Sequence, residues 1–206
     1  MKKIICYGDS NTFGFNPENG TRYGLDYRWT SLLSGIVGEE YLVVEEGLNN
    51  RTGFFVNSDG LRQSGEKYLP VCLQNHKNFD IFILALGTND LQYQFRIDES
   101  KAIDGLKKLI AIIKSFNSKS RIIVVPPVIL DERVLNGRFS HQFNQDSINA
   151  SKWIQSVYEK VVKSENCELL DVNKVVSVSD VDGLHFDKQS HKVIAQVAAE
   201  CIICDK

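Results

Sequence analysis

Five short apolar runs recur along the chain, separated by longer stretches whose apolar residues return every three or four positions. The runs are "KIICYG" (3–8), "YLVVE" (41–45), "DIFILALG" (80–87), "RIIVVP" (121–126) and "CELLDV" (167–172). Their length and content of β-branched residues predict strands. The third and fourth are apolar at successive positions, as expected of parallel strands covered on both faces. The periodic stretches predict helices over 99–115, 147–163 and 188–204, with shorter ones near 28–37 and 66–77. In the first, Ile103, Leu106, Ile110 and Ile113 form one stripe; in the last, Asp187 or Ser190 is available to cap the start.

Strands alternating with helices imply an α/β fold, a doubly wound parallel sheet of five strands between two helical layers. No repeat, low-complexity tract or linker interrupts the pattern, so residues 1–206 read as one domain. Ligands of such sheets bind beyond the carboxyl ends of the strands. The residues just after each strand are therefore where chemistry is expected.

Composition narrows the classes. The chain is 43% hydrophobic and 24% charged, with 24 basic and 26 acidic residues. Without a basic patch, nucleic acid is not expected as a partner. The longest apolar runs fall far short of the roughly 20 residues that span a bilayer, and the apolar run after "MKK" is too short for a signal peptide. No membrane association and a cytoplasmic location are the expectation. The cysteines Cys6, Cys72, Cys167, Cys201 and Cys204 form no even framework and read as small buried hydrophobes; the Cys201–Cys204 spacing alone is a weak metal signal. No metal and no cofactor are expected.

The strand ends carry unusual residue types. Gly8-Asp9-Ser10 follows the first strand, "EEGLNNRTGFF" (45–55) the second, Gly87-Thr88-Asn89-Asp90 the third, and Asp182-Gly183-Leu184-His185 lies beyond the fifth. A hydroxyl, a carboxamide, a carboxylate and an imidazole are the parts of a nucleophile, base and orienter with an oxyanion donor. A serine is barely ionised at neutral pH and needs a base, and the base needs an acid to fix its tautomer. Asp182, three residues before His185, can fold back on Nδ1 and leave Nε2 to face Ser10. Asn89 can supply a side-chain N–H, and the Ser10 amide and one amide of the loop after strand two can supply backbone donors.

Taken in order, "GDSNTFG", "GTND" and "DGLH" resemble the blocks of the GDSL-type, or SGNH, hydrolases, and the match runs from residue 8 to residue 185. "YRWT", "EEGLNNRT" and "YLPVCL" are similar more narrowly to the arylesterase/acyltransferase branch. The resemblance implies the flavodoxin-like three-layer SGNH fold. It also implies Ser10 as nucleophile, His185 as base, Asp182 as its partner, and Asn89 as an oxyanion donor. At the second block the family usually has glycine, where this sequence places Asn50. Its amide can still serve, because asparagine tolerates unusual φ; Gly47 is the alternative.

Other residues have plainer readings. Asp9 and Asp90 are expected to shape turns, His76 to sit at a helix end, His191 on the polar face of the last helix, and His141 in the long loop after strand four. Arg51 is expected to pair with Glu45, Glu46 or Asp59 rather than with an anionic substrate. Among the aromatics of the top loops (Phe13, Phe15, Phe54, Phe55, Tyr93 and Phe95), Phe13, three residues from Ser10, is the expected wall of a substrate pocket.

The activity expected is that of a serine esterase on small acyl esters, with transfer to alcohols competing if water is excluded. A carbohydrate acetylesterase or small thioesterase of the same fold is the alternative. A flavin-binding module built on the "DSNT" loop is the reading from a different class, but it leaves Asp182 and His185 without a role. The expected partner is a small-molecule ester, and no residue pattern specifies a homo-oligomer.

Overall fold

The computed structural model describes residues 1–203. Five parallel strands, β1 (Lys2–Gly8), β2 (Tyr41–Gly47), β3 (Ile81–Ala85), β4 (Arg121–Val124) and β5 (Glu168–Leu169), form one sheet in the order β2-β1-β3-β4-β5. The helices are α1 (Ser10–Phe13), α2 (Trp29–Val37), α3 (Gly65–Asn75), α4 (Glu99–Phe116), α5 (Gln145–Ser164) and α6 (Lys188–Ile203). α2 packs with α6, while α3 packs with α4 and α4 with α5, giving a helical layer on each face. Strand character follows position. β3, at the centre, is almost entirely buried, whereas β2 and β5 at the edges are only half-buried.

Each expected strand and each expected helix is present, and the boundaries differ for local reasons. β4 stops before Pro126, which has no N–H for the ladder. β5 keeps only two residues, because Asp171 caps a following 3₁₀ turn by accepting from the Asn173 amide at 3.2 Å. α5 begins two residues early on a capping box in which Asn144 and Ser147 each accept from the other's amide. Asp187, not Ser190, caps α6: its carboxylate accepts from the Ser190 amide at 2.7 Å. The one-turn helix α1 carries no periodic signal and was not expected. Cys204, and with it the Cys201–Cys204 spacing, lies outside the described residues.

The strand order reverses between β1 and β3. The loops after these two strands therefore splay apart and open a crevice at the carboxyl end of the sheet. Among the described residues, no helix is long and apolar enough to cross a membrane.

Candidate active site

Close backbone approach presents Ser10. A side chain at Gly8 would lie 2.1 Å from Thr12 Oγ1 and 2.7 Å from the Ala85 carbonyl, so only glycine lets α1 fold back over the end of β1. Asp9 then caps α1, accepting from the Asn11 amide at 2.9 Å. Gly47 plays a matching part in β2: a side chain there would meet the backbone of Thr12 and Phe13 within 2.4 Å. Ser10 is thus held between two strands at the base of the crevice.

The loop before α6 brings its partners. Asp182 Oδ1 accepts from the amides of Leu184 (3.0 Å) and His185 (2.9 Å), folding the segment into a tight turn. That turn sets Asp182 Oδ2 at 2.7 Å from His185 Nδ1, and His185 Nε2 at 2.9 Å from Ser10 Oγ. Burial pushes the Asp182 carboxyl upward, but the hydrogen bonds and charge of His185, with the Leu184 amide, outweigh it and hold it below the ordinary carboxylate range. Asn11, which the sequence reading passed over, ties the two segments together. Its Nδ2 donates to the Leu184 carbonyl (3.2 Å) and its Oδ1 accepts from the Phe186 amide (3.0 Å). The Asn next to the serine in "GDSN" was the signal available for it.

These groups open into a pocket of about 160 Å³ with two unlike walls. Phe15, Phe139 and Leu184 form the apolar wall; the Phe15 and Phe139 rings lie 4.2 and 5.1 Å from the His185 ring. Asn49, Asn50, Asn89 and Gln142 form the carboxamide wall. Phe13 does not line it: its ring lies beneath the Arg22 guanidinium at 4.6 Å. The chain reverses after α1, so Phe15 is the aromatic that returns to the site.

Asn50 and Asn89 both reach this pocket, and Gly47 does not. Asn50 has φ 59°, the left-handed conformation that asparagine tolerates. Its carbonyl accepts from Asn57 Nδ2 (2.6 Å), its Nδ2 donates to Asp59, and its Oδ1 accepts from Gln92 Nε2 (3.0 Å). Gln92 Nε2 also donates to Asn89 Oδ1 (3.2 Å), and Asn89 Nδ2 donates to the Arg51 carbonyl (3.1 Å). One glutamine thus braces both asparagines. Neither the Ser10 nor the Asn50 amide donates to another backbone group among the described residues.

Arg51 is fully buried and makes no ion pair with Glu45, Glu46 or Asp59. It donates to the carbonyls of Gly8 (3.0 Å), Glu46 and Arg62 (2.9 Å), and stacks 4.4 Å over the Tyr7 ring. Glu45 instead pairs with Arg22 and Arg28, and Glu46 with His76. Asp90 anchors the loop after β2 by accepting from the amides of Gly53 (2.5 Å), Phe54 (2.8 Å) and Phe55 (3.1 Å). Burial raises both Asp9 and Asp90 to about 6. His191 is not on a polar face: it is fully buried, and its Nδ1 accepts from the Trp29 amide at 3.3 Å. His141 is exposed, although its neighbours Phe139 and Gln142 line the pocket.

Among the described residues, Glu46, Cys72 and His76 are the one group of ligand-type side chains whose donor atoms all lie within 4.8 Å of one another. The site does not fit a cation well. His76 and Glu46 already bond each other at 2.7 Å, and the buried Cys72 thiol is pushed up to about 12 by burial.

The GDSL-like lipase/acylhydrolase family matches residues 6–193. The inhibitor-bound aryl esterase of M. smegmatis is 29% identical, with a TM-score of 0.90 over 98% of each chain. A carbohydrate acetylesterase family member from Sinorhizobium meliloti is 25% identical, with a TM-score of 0.91 over 98% of this chain and 97% of that one. Est24, a carbohydrate acetylesterase from the same organism, shares the fold at 24% identity, with a TM-score of 0.92 over the whole of both chains. No curated protein sequence matches. The family match decides against the flavin-binding reading of the "DSNT" loop. The chain belongs to the GDSL-like lipase/acylhydrolase family.

Proposed function

We propose that the protein is a serine esterase that cleaves small acyl esters through an acyl-enzyme, with Ser10, His185 and Asp182 as its catalytic residues. One observation carries this reading: the unbroken line from Asp182 Oδ2 through the His185 ring to Ser10 Oγ, with steps of 2.7 and 2.9 Å, opening into a pocket that also holds Asn50 and Asn89.

Each group has one task. Asp182 accepts a hydrogen bond from the Nδ1–H of His185, which fixes the tautomer and leaves Nε2 as the acceptor facing Ser10. As Ser10 Oγ bonds to the ester carbon, its proton passes to Nε2, and the carbonyl electrons move onto oxygen. The Ser10 and Asn50 amides and the Asn89 carboxamide hold that oxyanion. When the tetrahedral intermediate collapses, the bond to the leaving oxygen breaks, and the Nε2 proton goes to the alcohol. Water or a second alcohol then attacks the acyl-enzyme by the same steps in reverse.

The leaving alcohol must lie beside His185, and therefore against Phe15 and Phe139. That aromatic wall limits water near the acyl-enzyme and supports transfer to alcohols as a competing outcome. The pocket, about 160 Å³, suits acetyl-sized acyl groups better than long chains. Hydrolysis of p-nitrophenyl acetate tests the proposal. The wild type should turn it over, and Ser10→Ala should lose at least about 10³-fold in kcat while keeping its circular dichroism spectrum and melting temperature. Retained turnover in the folded variant overturns the assignment.

A further inference from the structure

One short segment, Arg138-Phe139-Ser140-His141-Gln142, contributes to both walls of the pocket. Phe139 belongs to the apolar wall and Gln142 to the carboxamide wall. The backbone fixes their places: the Gln142 amide donates to the Phe139 carbonyl (2.9 Å), and the Tyr93 amide donates to the Gln142 carbonyl (3.1 Å). Arg138 is exposed, but it does not extend freely into water. Its guanidinium lies over the Phe15 ring at 6.0 Å and rests against Gly20 in the loop after α1. Phe15 is in turn 4.2 Å from the His185 ring, which puts the guanidinium carbon within about 10 Å of the imidazole.

The donors on this segment have no acceptor in the protein. Among the described residues Arg138 forms no ion pair and donates no hydrogen bond. The carboxylates that could serve it from the flanking loops, Asp131 and Asp180, are both taken by Arg133. Contact with an aromatic ring uses none of a guanidinium's N–H groups, so all of them are left for another partner. The half-buried Gln142 carboxamide likewise has no hydrogen-bond partner among the described residues, whereas Asn50 and Asn89 are committed to Gln92 and to the loop after β2. Free donors, one of them charged, therefore stand beside the wall along which the alcohol leaves.

Resting on the esterase reading, we infer that Arg138 is a specificity residue that binds a negatively charged group on the alcohol part of the substrate, so that the preferred substrates are esters of alcohols bearing a carboxylate or a phosphate. The planar fork of a guanidinium suits either anion, and charge-assisted hydrogen bonds of this kind are stronger than neutral ones. An alcohol that leaves beside His185 runs along Phe15 and Phe139, and an anion at its far end meets the guanidinium that lies over Phe15. A neutral alcohol makes the same apolar contacts without the ion pair. A cationic alcohol sets like charges together, which is disfavoured.

Phenyl acetates that differ only in the para substituent test this: carboxylate, phosphate, carboxamide and trimethylammonium. Each is followed by pH-stat titration, and each kcat/KM is divided by the rate of the same ester with hydroxide, which removes differences between the leaving groups. The wild type should prefer at least one anionic ester over the carboxamide by about fivefold or more, and the better of the two identifies the anion. Arg138→Gln should bring that ratio to within about twofold of one, and Arg138→Glu should move the preference to the trimethylammonium ester. Two replacements guard against one failing to fold, and a ratio within one variant is insensitive to a loss of active enzyme. A preference for the anion that survives both substitutions overturns the assignment of Arg138, as does a wild type that treats neutral and anionic esters alike. A wild type that hydrolyses none of the four overturns the esterase reading, and the role of Arg138 with it.

Discussion

His185 Nε2 stands 2.9 Å from Ser10 Oγ, although 175 positions separate the two residues. The contact is held from both sides. Gly8 and Gly47 let α1 settle on the sheet, and Asn11 joins α1 to the backbone on either side of His185.

Asn11→Ala removes both of those ties at once and touches none of the reacting atoms. Displacements of about 1 Å at a reacting pair can cost 10²-fold in rate. We expect kcat on p-nitrophenyl acetate to fall by about 10- to 100-fold, with KM changing much less. An unchanged kcat would show that the Asp182 turn holds His185 unaided.

Gln92 is expected to act through Asn50 and Asn89. Gln92→Leu leaves the carboxamide oxygens of both without its donor, so the oxyanion donors lose their bracing. Steady-state kinetics should show kcat lowered by about tenfold or more. Asn89→Ala, which removes a donor outright, should cost about 10²- to 10³-fold. If Gln92→Leu costs as much as Asn89→Ala, the glutamine does more than brace.

Gly47→Ala places a methyl group within 2.4 Å of the backbone of Thr12 and Phe13, where no flexible side chain can yield. Overpacking of this kind costs about 1–3 kcal/mol. Chemical denaturation should show that loss, and activity should fall with it because α1 carries Ser10. An alanine tolerated without cost would mean that α1 can lift from the sheet freely.

Stability between pH 4 and 6.5 should reflect two opposed contributions. Burial raises the folded-state values of Asp9 and Asp90 from 3.8 to about 6. In that interval the unfolded chain gives up protons that the folded chain keeps, so this contribution is full below about 4 and is lost as pH rises through 6. Burial, opposed in part by Asp187, lowers His191 from 6.5 to about 4. The unfolded chain then takes up a proton that the folded chain refuses, so stability is lost as pH falls from 6.5 to 4. A shift of about two units corresponds to about 3 kcal/mol. Denaturation curves across this range should show the slope of stability against pH more positive in Asp9→Asn than in wild type, and more negative in His191→Asn. Both replacements can keep the acceptor that binds the Asn11 or Trp29 amide. Parallel profiles in all three proteins would contradict these protonation states.

The sheet and its helices were legible because burial on both faces writes continuous apolar runs, as in Ile81–Ala85, and a single buried stripe writes the period of α4. That Ser10, Asp182 and His185 would meet was legible because a nucleophile, base and orienter need distinct residue types at strand ends. The supporting groups were not. Asn11 and Gln92 are carboxamides, one in the single turn of α1 and one in the loop after β3, and nothing in local pattern distinguishes one that braces a neighbour from one that faces solvent. Arg51 misled because a charge usually seeks a counter-charge, whereas here three carbonyls and the ring of Tyr7 receive it. His191 misled because helical periodicity is coarse: one residue's rotation separates the solvent face of α6 from the face that meets Trp29. Phe13 and Phe15 stand on opposite sides of the chain reversal after α1, and only the folded turn tells which ring meets His185.

The central claim is that Ser10 is the nucleophile made reactive by His185. Intact-mass spectrometry after exposure to a p-nitrophenyl alkylphosphonate tests it most directly, because such reagents are captured by an activated serine and the adduct does not turn over. The wild type should gain the mass of one phosphonyl group, located on the peptide that contains Ser10, and Ser10→Ala and His185→Ala should gain none on that timescale. A wild type that stays unlabelled, or a label that persists in folded Ser10→Ala, would contradict the claim.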